Sequence, residues 1–301
     1  KGLLILLVII GHTFISGFFH DLIYTFHMPA FFIISGVLMN YSSSLKKPLR
    51  SVIFSKIYTL IIPYLFFEII GIVYHFIANG TLQNLIGYIY DIITMHCYNI
   101  VDWFLPTLFF AELLFIFLRK ISNNYILISF GILAILLSGI LNFIIFNRIL
   151  LAFAFICFGY YSHKVFAWNN QIVFVLSIAV TIIVTLINGS SDINSWNYKY
   201  YPIFLIGAIT GTYFIIQLCK YFNFRLQYFG KNSLVIMGTH LPLLWGVEKI
   251  LFHNVNDLLA HQLALSGIIV IILEFPTIFV LNKYLPILIG KHYGRPVTIT
   301  N

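Results

Sequence analysis

The stretch KGLLILLVIIGHTF, residues 1–14, decides the class of fold. Ten residues without a polar side chain separate Lys1 from His12. Such a run is typical of the start of a membrane helix, in which about 20 apolar residues cross a hydrocarbon core roughly 30 Å thick. A histidine inside the helix and a lysine at its beginning therefore need an explanation.

The composition of the whole chain supports this interpretation. Of its 301 residues, 60% are hydrophobic and only 9% are charged, whereas a soluble domain carries about 25% charged residues. Such a chain cannot cover its surface with charge, so soluble classes of protein are excluded. We predict a single integral-membrane domain over residues 1–301, all-α, folded as a polytopic transmembrane helical bundle. Residue 1 is not methionine, so we expect the natural N-terminus to lie upstream.

The apolar runs predict about ten spans. They are residues 2–19, 22–41, 52–77, 103–118, 124–141, 146–162, 171–188, 201–219, 231–252 and 262–285. The segment 80–100 is too polar to cross, and we predict an amphipathic re-entrant or surface segment at the outer face.

The basic residues predict the orientation. If Lys1 is cytoplasmic, 14 of the 17 Lys and Arg residues fall on the inner side, and only Arg148, Lys199 and Lys249 fall outside. This pattern satisfies the positive-inside rule and places both termini in the cytoplasm. The net charge of +8 therefore reflects topology, and we predict no nucleic-acid partner.

Lys1 and His12 are eleven residues apart, which is nearly three helical turns, so they share one helix face. His12 then lies about 15 Å into the membrane. An ionisable group at that depth is a functional candidate, because burying its charged form costs several kcal/mol. The alternative is a neutral histidine that is hydrogen-bonded between helices.

Two further histidines stand beside prolines in apolar runs. Pro29 cannot donate a backbone hydrogen bond, and the nearby His27 either binds a substrate hydroxyl or stabilises the kink. His240 precedes Pro242 at mid-depth and has the same two interpretations, functional or structural. The other prolines that we expect to interrupt spans are Pro63, Pro106 and Pro276.

Carboxylates also fall inside predicted spans. Glu112 and Glu68 either orient a histidine or bond to a neighbouring helix, and we expect Glu274 to be structural. Trp103 either binds substrate or belongs to the aromatic belt at the membrane surface. The sequence has no HExxH or CxxC pattern and no GxSxG elbow, so we predict no metal site and no soluble hydrolase chemistry.

Taken in order, these residues resemble the membrane acyltransferase-3 family. The resemblance rests on Lys1-Gly2, Gly11-His12, Phe26-His27-Met28-Pro29-Ala30-Phe31-Phe32, Ser35-Gly36, Lys56, Pro63-Tyr64, Trp103-Phe104-Leu105 and Ser233 to His240. The Lys-Gly form of the first motif is similar to the fucose O-acetylase-like, exopolysaccharide-modifying branch. The resemblance implies a membrane O-acyltransferase that moves an acetyl group from acetyl-CoA to a sugar.

The resemblance also implies roles for the candidate residues. His12 is the predicted general base, with His240 or Glu112 as its partner. Lys1, Arg50 and Lys56 are predicted to hold the coenzyme, and His27 and Trp103 to bind the acceptor. The expected partners are acyl-CoA, a glycan or lipid-linked sugar, and the lipids of a bacterial plasma membrane. The main alternative is a transporter or flippase for a glycolipid or organic anion, and a weaker one is an assembly partner without catalysis.

Overall fold

The computed structural model describes residues 1–13, 17–80, 85–222, 225–252 and 260–291, and this part of the chain is helical, without a β-strand. The first helices are α1 (Gly2–Thr13), α2 (Phe18–Met39), α3 (Leu49–Lys56), α4 (Ile62–Asn79), α5 (Leu85–Ile93), α6 (Phe104–Ile121) and α7 (Asn124–Ile140). The others are α8 (Ile144–Tyr161), α9 (His163–Ala167), α10 (Gln171–Asn188), α11 (Tyr201–Phe222), α12 (Gln227–Lys231), α13 (Ser233–Phe252) and α14 (Ala260–Tyr284).

The helices confirm an all-α polytopic membrane bundle. Among the described residues, seven helices are long and apolar enough to cross a membrane, and α1 and α7 are shorter apolar helices. Helix α6 has 18 residues and contains Glu112, Arg119 and Lys120. Seven of the predicted spans therefore contain a helix long and apolar enough to cross, and the other three contain α1, α6 and α7. The count of about ten spans and the cytoplasmic termini stay predictions.

The prolines act in different ways. Helix α13 continues through Pro242. Because proline has no backbone N–H, the Gly238 carbonyl loses its helical donor. It accepts a hydrogen bond of 2.8 Å from Asn99 Nδ2 instead. Pro63 follows a π-helical turn, Ile57–Ile61, a wider turn of the kind that accommodates a missing backbone bond.

Pro106 does not interrupt a span, so that expectation was wrong. It is the third residue of α6, and N–H groups in the first turn of a helix have no intrahelical acceptor. A proline there begins a helix without losing a bond.

Helices α2 and α8 pack with their backbones in contact. A Cβ atom added at Gly36 would meet the carbonyl of Ile156, and one added at Gly159 would meet the carbonyl of Ile33. Small residues at such positions allow membrane helices to approach closely. This contact holds α2, which carries several of the candidate residues, in the centre of the bundle.

The described part of the segment 80–100 contains no helix long enough to cross the membrane. Helix α5 has nine residues, far fewer than the roughly 20 that a span needs. The chain after α5 enters the bundle beside α4, where the Tyr98 backbone N–H donates to Glu68 at 3.0 Å. Residues 81–84 lie outside the described residues, and the side of the membrane on which α5 lies stays a prediction.

Candidate functional site

Two chambers are stacked along helices α2 and α13, which line both, with Lys1 just before α1 at the first chamber and His12 of α1 at the second. The first, which we call the basic chamber, has a volume of about 180 Å³. Its polar lining comprises Lys1, Ser35, Lys56, Glu112 and Ser233. The second, the histidine chamber, has a volume of about 70 Å³. Its polar lining comprises His12, Tyr24, His27, Trp103, Asp192 and Asn194.

The helix directions explain why the two chambers stack. Helices α1 and α13 run from the basic chamber to the histidine chamber, as Lys1 precedes His12 and Ser233 precedes Met237. Helix α2 runs the opposite way, from Tyr24 to Ser35. The chambers therefore lie at successive depths of one bundle, and the predicted shared face of Lys1 and His12 connects them.

The basic chamber contains a buried ion pair. Glu112 is 4% exposed, accepts a hydrogen bond from the Ser35 hydroxyl and pairs with the Lys56 ammonium. Within the described residues Lys1 forms no ion pair, so it is the surplus cation of this chamber. The contacts of Glu112 are with Ser35 and Lys56, which does not support its predicted pairing with His12.

The structure instead brings His12 together with His240. Their ring centroids are 5.3 Å apart, and His12 Nδ1 lies 3.3 Å from the Tyr24 hydroxyl. His240 Nδ1 is 2.7 Å from the Ile236 carbonyl. Because a carbonyl only accepts, His240 carries its hydrogen on Nδ1 and has a lone pair on Nε2. That buried Nε2 makes no hydrogen bond within the described part of the chain.

The two predicted acceptor-binding residues both line the histidine chamber. His27 Nδ1 donates to the Ile23 carbonyl at 2.8 Å, so its Nε2 atom is the acceptor. Trp103 is 4% exposed, and the Arg148 guanidinium lies 5.3 Å from its ring centroid. Trp103 is therefore a buried wall of the site, and its alternative interpretation as a belt aromatic is wrong.

A wider cavity of about 550 Å³ adjoins the histidine chamber, since Ile100 and Asn194 line both. Its other polar lining residues are Asp91, His96, Cys97, Tyr98, Arg148 and Ser195. Arg50 lies elsewhere: it is exposed at the start of α3, with its guanidinium 5.8 Å from the Phe54 ring centroid. It therefore lines neither chamber.

Comparison with known proteins identifies the family. A model of the acyltransferase-3 family, described as an acyltransferase domain, matches residues 1–283. The chain belongs to this family. It is an integral membrane acyltransferase, as the sequence predicted. No curated protein and no solved structure was found to match the chain.

Several residues of the acyltransferase site had not been predicted, namely Tyr24, Ser35, Met237, Asp192 and Asn194. Tyr24 precedes His27 by three residues, so helical spacing places both on one face. Ser35 belongs to the Ser35-Gly36 pair on which the family resemblance rests, and Met237 falls between Ser233 and His240, but neither residue was assigned a role. No motif marks Asp192 or Asn194. Within the described residues, no group of histidine, cysteine and acidic side chains is placed to hold a metal ion.

Other carboxyl groups of the acyltransferase support the fold. Glu274 accepts from the Thr239 hydroxyl at 2.8 and 3.0 Å and so joins α14 to α13. Asp102 is fully buried, just before Trp103. Burial and, secondly, the charge of Glu68 raise the pKa of Asp102 well above its ordinary value.

Proposed function

We propose that this acyltransferase moves an acetyl or other short acyl group from cytoplasmic acyl-CoA to a sugar hydroxyl of a cell-surface or exported glycan. Acetyl-CoA is the proposed donor, and the plasma membrane of a bacterium is the proposed location. One observation carries the proposal: a chamber with a surplus cation and a chamber with two histidines lie at successive depths of the same helices.

The basic chamber suits the donor. Coenzyme A carries phosphates, which cationic side chains attract. Lys1 supplies unpaired positive charge at the chamber, while the charge of Lys56 is matched by Glu112. Arg50, exposed outside the chamber, acts on the coenzyme only at longer range. The slender thiol arm then extends along the chamber towards Met237 and His12.

The histidine chamber suits the chemistry. We assign the hydrogen of neutral His12 to Nδ1, which lies 3.3 Å from the Tyr24 hydroxyl, so that Nε2 carries the lone pair. That lone pair takes the proton of the sugar hydroxyl while the oxygen attacks the thioester carbonyl. The carbon–sulfur bond breaks, and the coenzyme leaves as a thiolate that takes the proton back from the His12 imidazolium, which restores the neutral base. His240, with its free Nε2 acceptor, stabilises the imidazolium that forms on His12.

The cavity beside the histidine chamber suits the acceptor. It shares Ile100 and Asn194 with the chamber as lining residues. Its lining combines charged, hydroxyl and aromatic side chains, which suit the many hydroxyl groups of a sugar. We place the reacting sugar against Trp103 and His27, with the rest of the glycan in the cavity.

The test is acyl transfer by the purified protein. The full chain, reconstituted in liposomes, is mixed with radiolabelled acetyl-CoA and a glycan extract of the cell envelope. We expect the thioester to be consumed and the label to appear in glycan. A general base typically contributes about 10²–10⁴-fold, so His12→Gln should lose at least about 100-fold.

The matched control is His163→Gln. His163 Nδ1 donates to the Tyr160 carbonyl at 2.9 Å, as the Nδ1 atoms of His27 and His240 do to their own carbonyls. His163 lines neither chamber. This variant should keep wild-type transfer. If the wild-type protein leaves the thioester intact with every glycan extract, the proposed function is wrong and the transporter hypothesis gains support.

A further inference from the structure

We propose that Met237 is the gate between the basic and histidine chambers, and that it limits the enzyme to short acyl groups. The inference rests on the proposed function. Among the residues that line the two chambers, Met237 is the one that they share. It is 2% exposed, so its side chain is the common wall of both.

The position of Met237 along α13 places it on the path of the acyl group. Ser233, in the basic chamber, is four residues before it, and His240 is three residues after it. Residues three or four apart occupy the same helix face. An acyl group that moves from the coenzyme arm towards His12 must therefore pass the Met237 side chain or lie against it.

The aromatic part of the wall is more rigid than Met237. Phe31 and Phe104 line the basic chamber and Trp103 lines the histidine chamber, and the two phenylalanine rings are in contact, with centroids 5.7 Å apart. Methionine is unbranched and has three rotatable side-chain bonds, so it moves more easily than packed aromatic rings. Met237 is thus the part of the partition that can open.

The size of the histidine chamber gives the gate its selectivity. Its volume of about 70 Å³ is about five to seven times the minimum of about 10–15 Å³ that one water needs by a similar measure. The chamber must hold the acyl group and the attacking hydroxyl together. Each methylene added to the acyl group is therefore expected to contact the side chains that line the chamber. One methylene in such a pocket typically changes kcat/KM by about 10–200-fold.

The first test compares acyl donors of different length. The ratio of kcat/KM for butyryl-CoA to that for acetyl-CoA is measured for the wild type, Met237→Ala, Met237→Leu and Met237→Phe. We expect Met237→Ala to raise the ratio by about tenfold or more. Met237→Leu should keep the wild-type ratio, since its volume is similar. Met237→Phe should transfer neither acyl group well.

The control is Met39→Ala, which removes an equally buried methionine of α2, 5% exposed, that lines neither chamber. If Met237→Ala leaves the ratio unchanged, or if Met39→Ala raises it equally, the gate is refuted. Because the ratio compares two donors on one variant, a general loss of folded protein does not change it.

The second test does not depend on the identity of the donor. Met237→Cys is treated, in vesicles of either orientation, with a membrane-impermeant methanethiosulfonate, and the peptide that contains residue 237 is analysed by mass spectrometry. A wall shared by two chambers predicts modification from both sides. Modification from one side only, or from neither, contradicts the gate, whereas failure of wild-type acyl transfer alone contradicts the proposed function.

Discussion

Removing one member of the buried pair of Lys56 and Glu112 should lower the free energy of unfolding strongly, whereas replacing both members together should change it little. Lys56→Met leaves the Glu112 carboxylate, 4% exposed, with the Ser35 hydroxyl as its remaining bond. Removing one partner of a buried ion pair costs about 3–5 kcal/mol. The Lys56 side chain is 23% exposed, so water reaches this end of the pair and we expect about 3 kcal/mol, the lower limit.

A double variant measures how much of the lost stability comes from the interaction between Lys56 and Glu112. In Lys56→Met/Glu112→Gln neither member of the pair is left charged without its partner, and replacing a whole buried pair is often neutral or stabilising. We therefore expect the second substitution to restore most of the lost stability, with a coupling free energy of about 2–3 kcal/mol.

The assay is the free energy of unfolding in detergent micelles, from denaturant titration followed by near-ultraviolet circular dichroism. The control is Lys46→Met, an exposed lysine for which we expect a change within about 0.5 kcal/mol. A cost below about 0.5 kcal/mol for Lys56→Met, or a double variant no more stable than the single one, would refute a buried, coupled pair.

Three further predictions test other parts of the account. Lys1→Ala should raise the KM for acetyl-CoA, whereas Lys1→Arg should keep a KM close to that of the wild type. Arg50→Ala should raise the KM only at low ionic strength, where exposed charges are not screened. Steady-state kinetics at two salt concentrations checks both predictions. The raised pKa of Asp102 means that this side chain takes up a proton on folding. The free energy of unfolding should therefore fall by about 1.4 kcal/mol for each unit by which the pH rises between the pKa of the unfolded and that of the folded protein. Unfolding titrations from pH 5 to 8 should show a shallower fall in Asp102→Asn. Gly36→Ala should cost about 1–3 kcal/mol of stability through overpacking against α8, while Gly246→Ala, where a Cβ has no neighbour within 4 Å, should be neutral or slightly stabilising in the same titration.

The parts of this account that follow from local pattern were predictable. Apolar runs located the long helices, because helix length is fixed by the bilayer. The spacing of Lys1 and His12 predicted a common face, and the two residues do line stacked chambers. The proline next to His240 marked a disturbed helix, in which the freed carbonyl of Gly238 is bonded by Asn99.

The parts that depend on how helices rotate against one another were not predictable. Glu112 was one of two expected partners of His12, the other being His240, but the register of α6 turns Glu112 towards Lys56 and Ser35. No periodicity distinguishes Met237 from other buried apolar residues, and its role depends on two chambers that exist only after the helices pack. Asp192 and Asn194 belong to a loop, which has no repeating pattern from which its position could be predicted.

The most direct test of the central claim is the acetylation of surface glycans in cells that carry this protein. Mass spectrometry of glycans compares cells with the wild type, with His12→Gln and without the gene, after immunoblotting shows equal amounts of both proteins in the membrane. The account predicts an acetyl mass increment on a sugar in the wild type, and its loss both in His12→Gln and without the gene. Normal acetylation in His12→Gln would contradict general-base catalysis by His12, and identical glycans in all three would contradict glycan O-acylation itself.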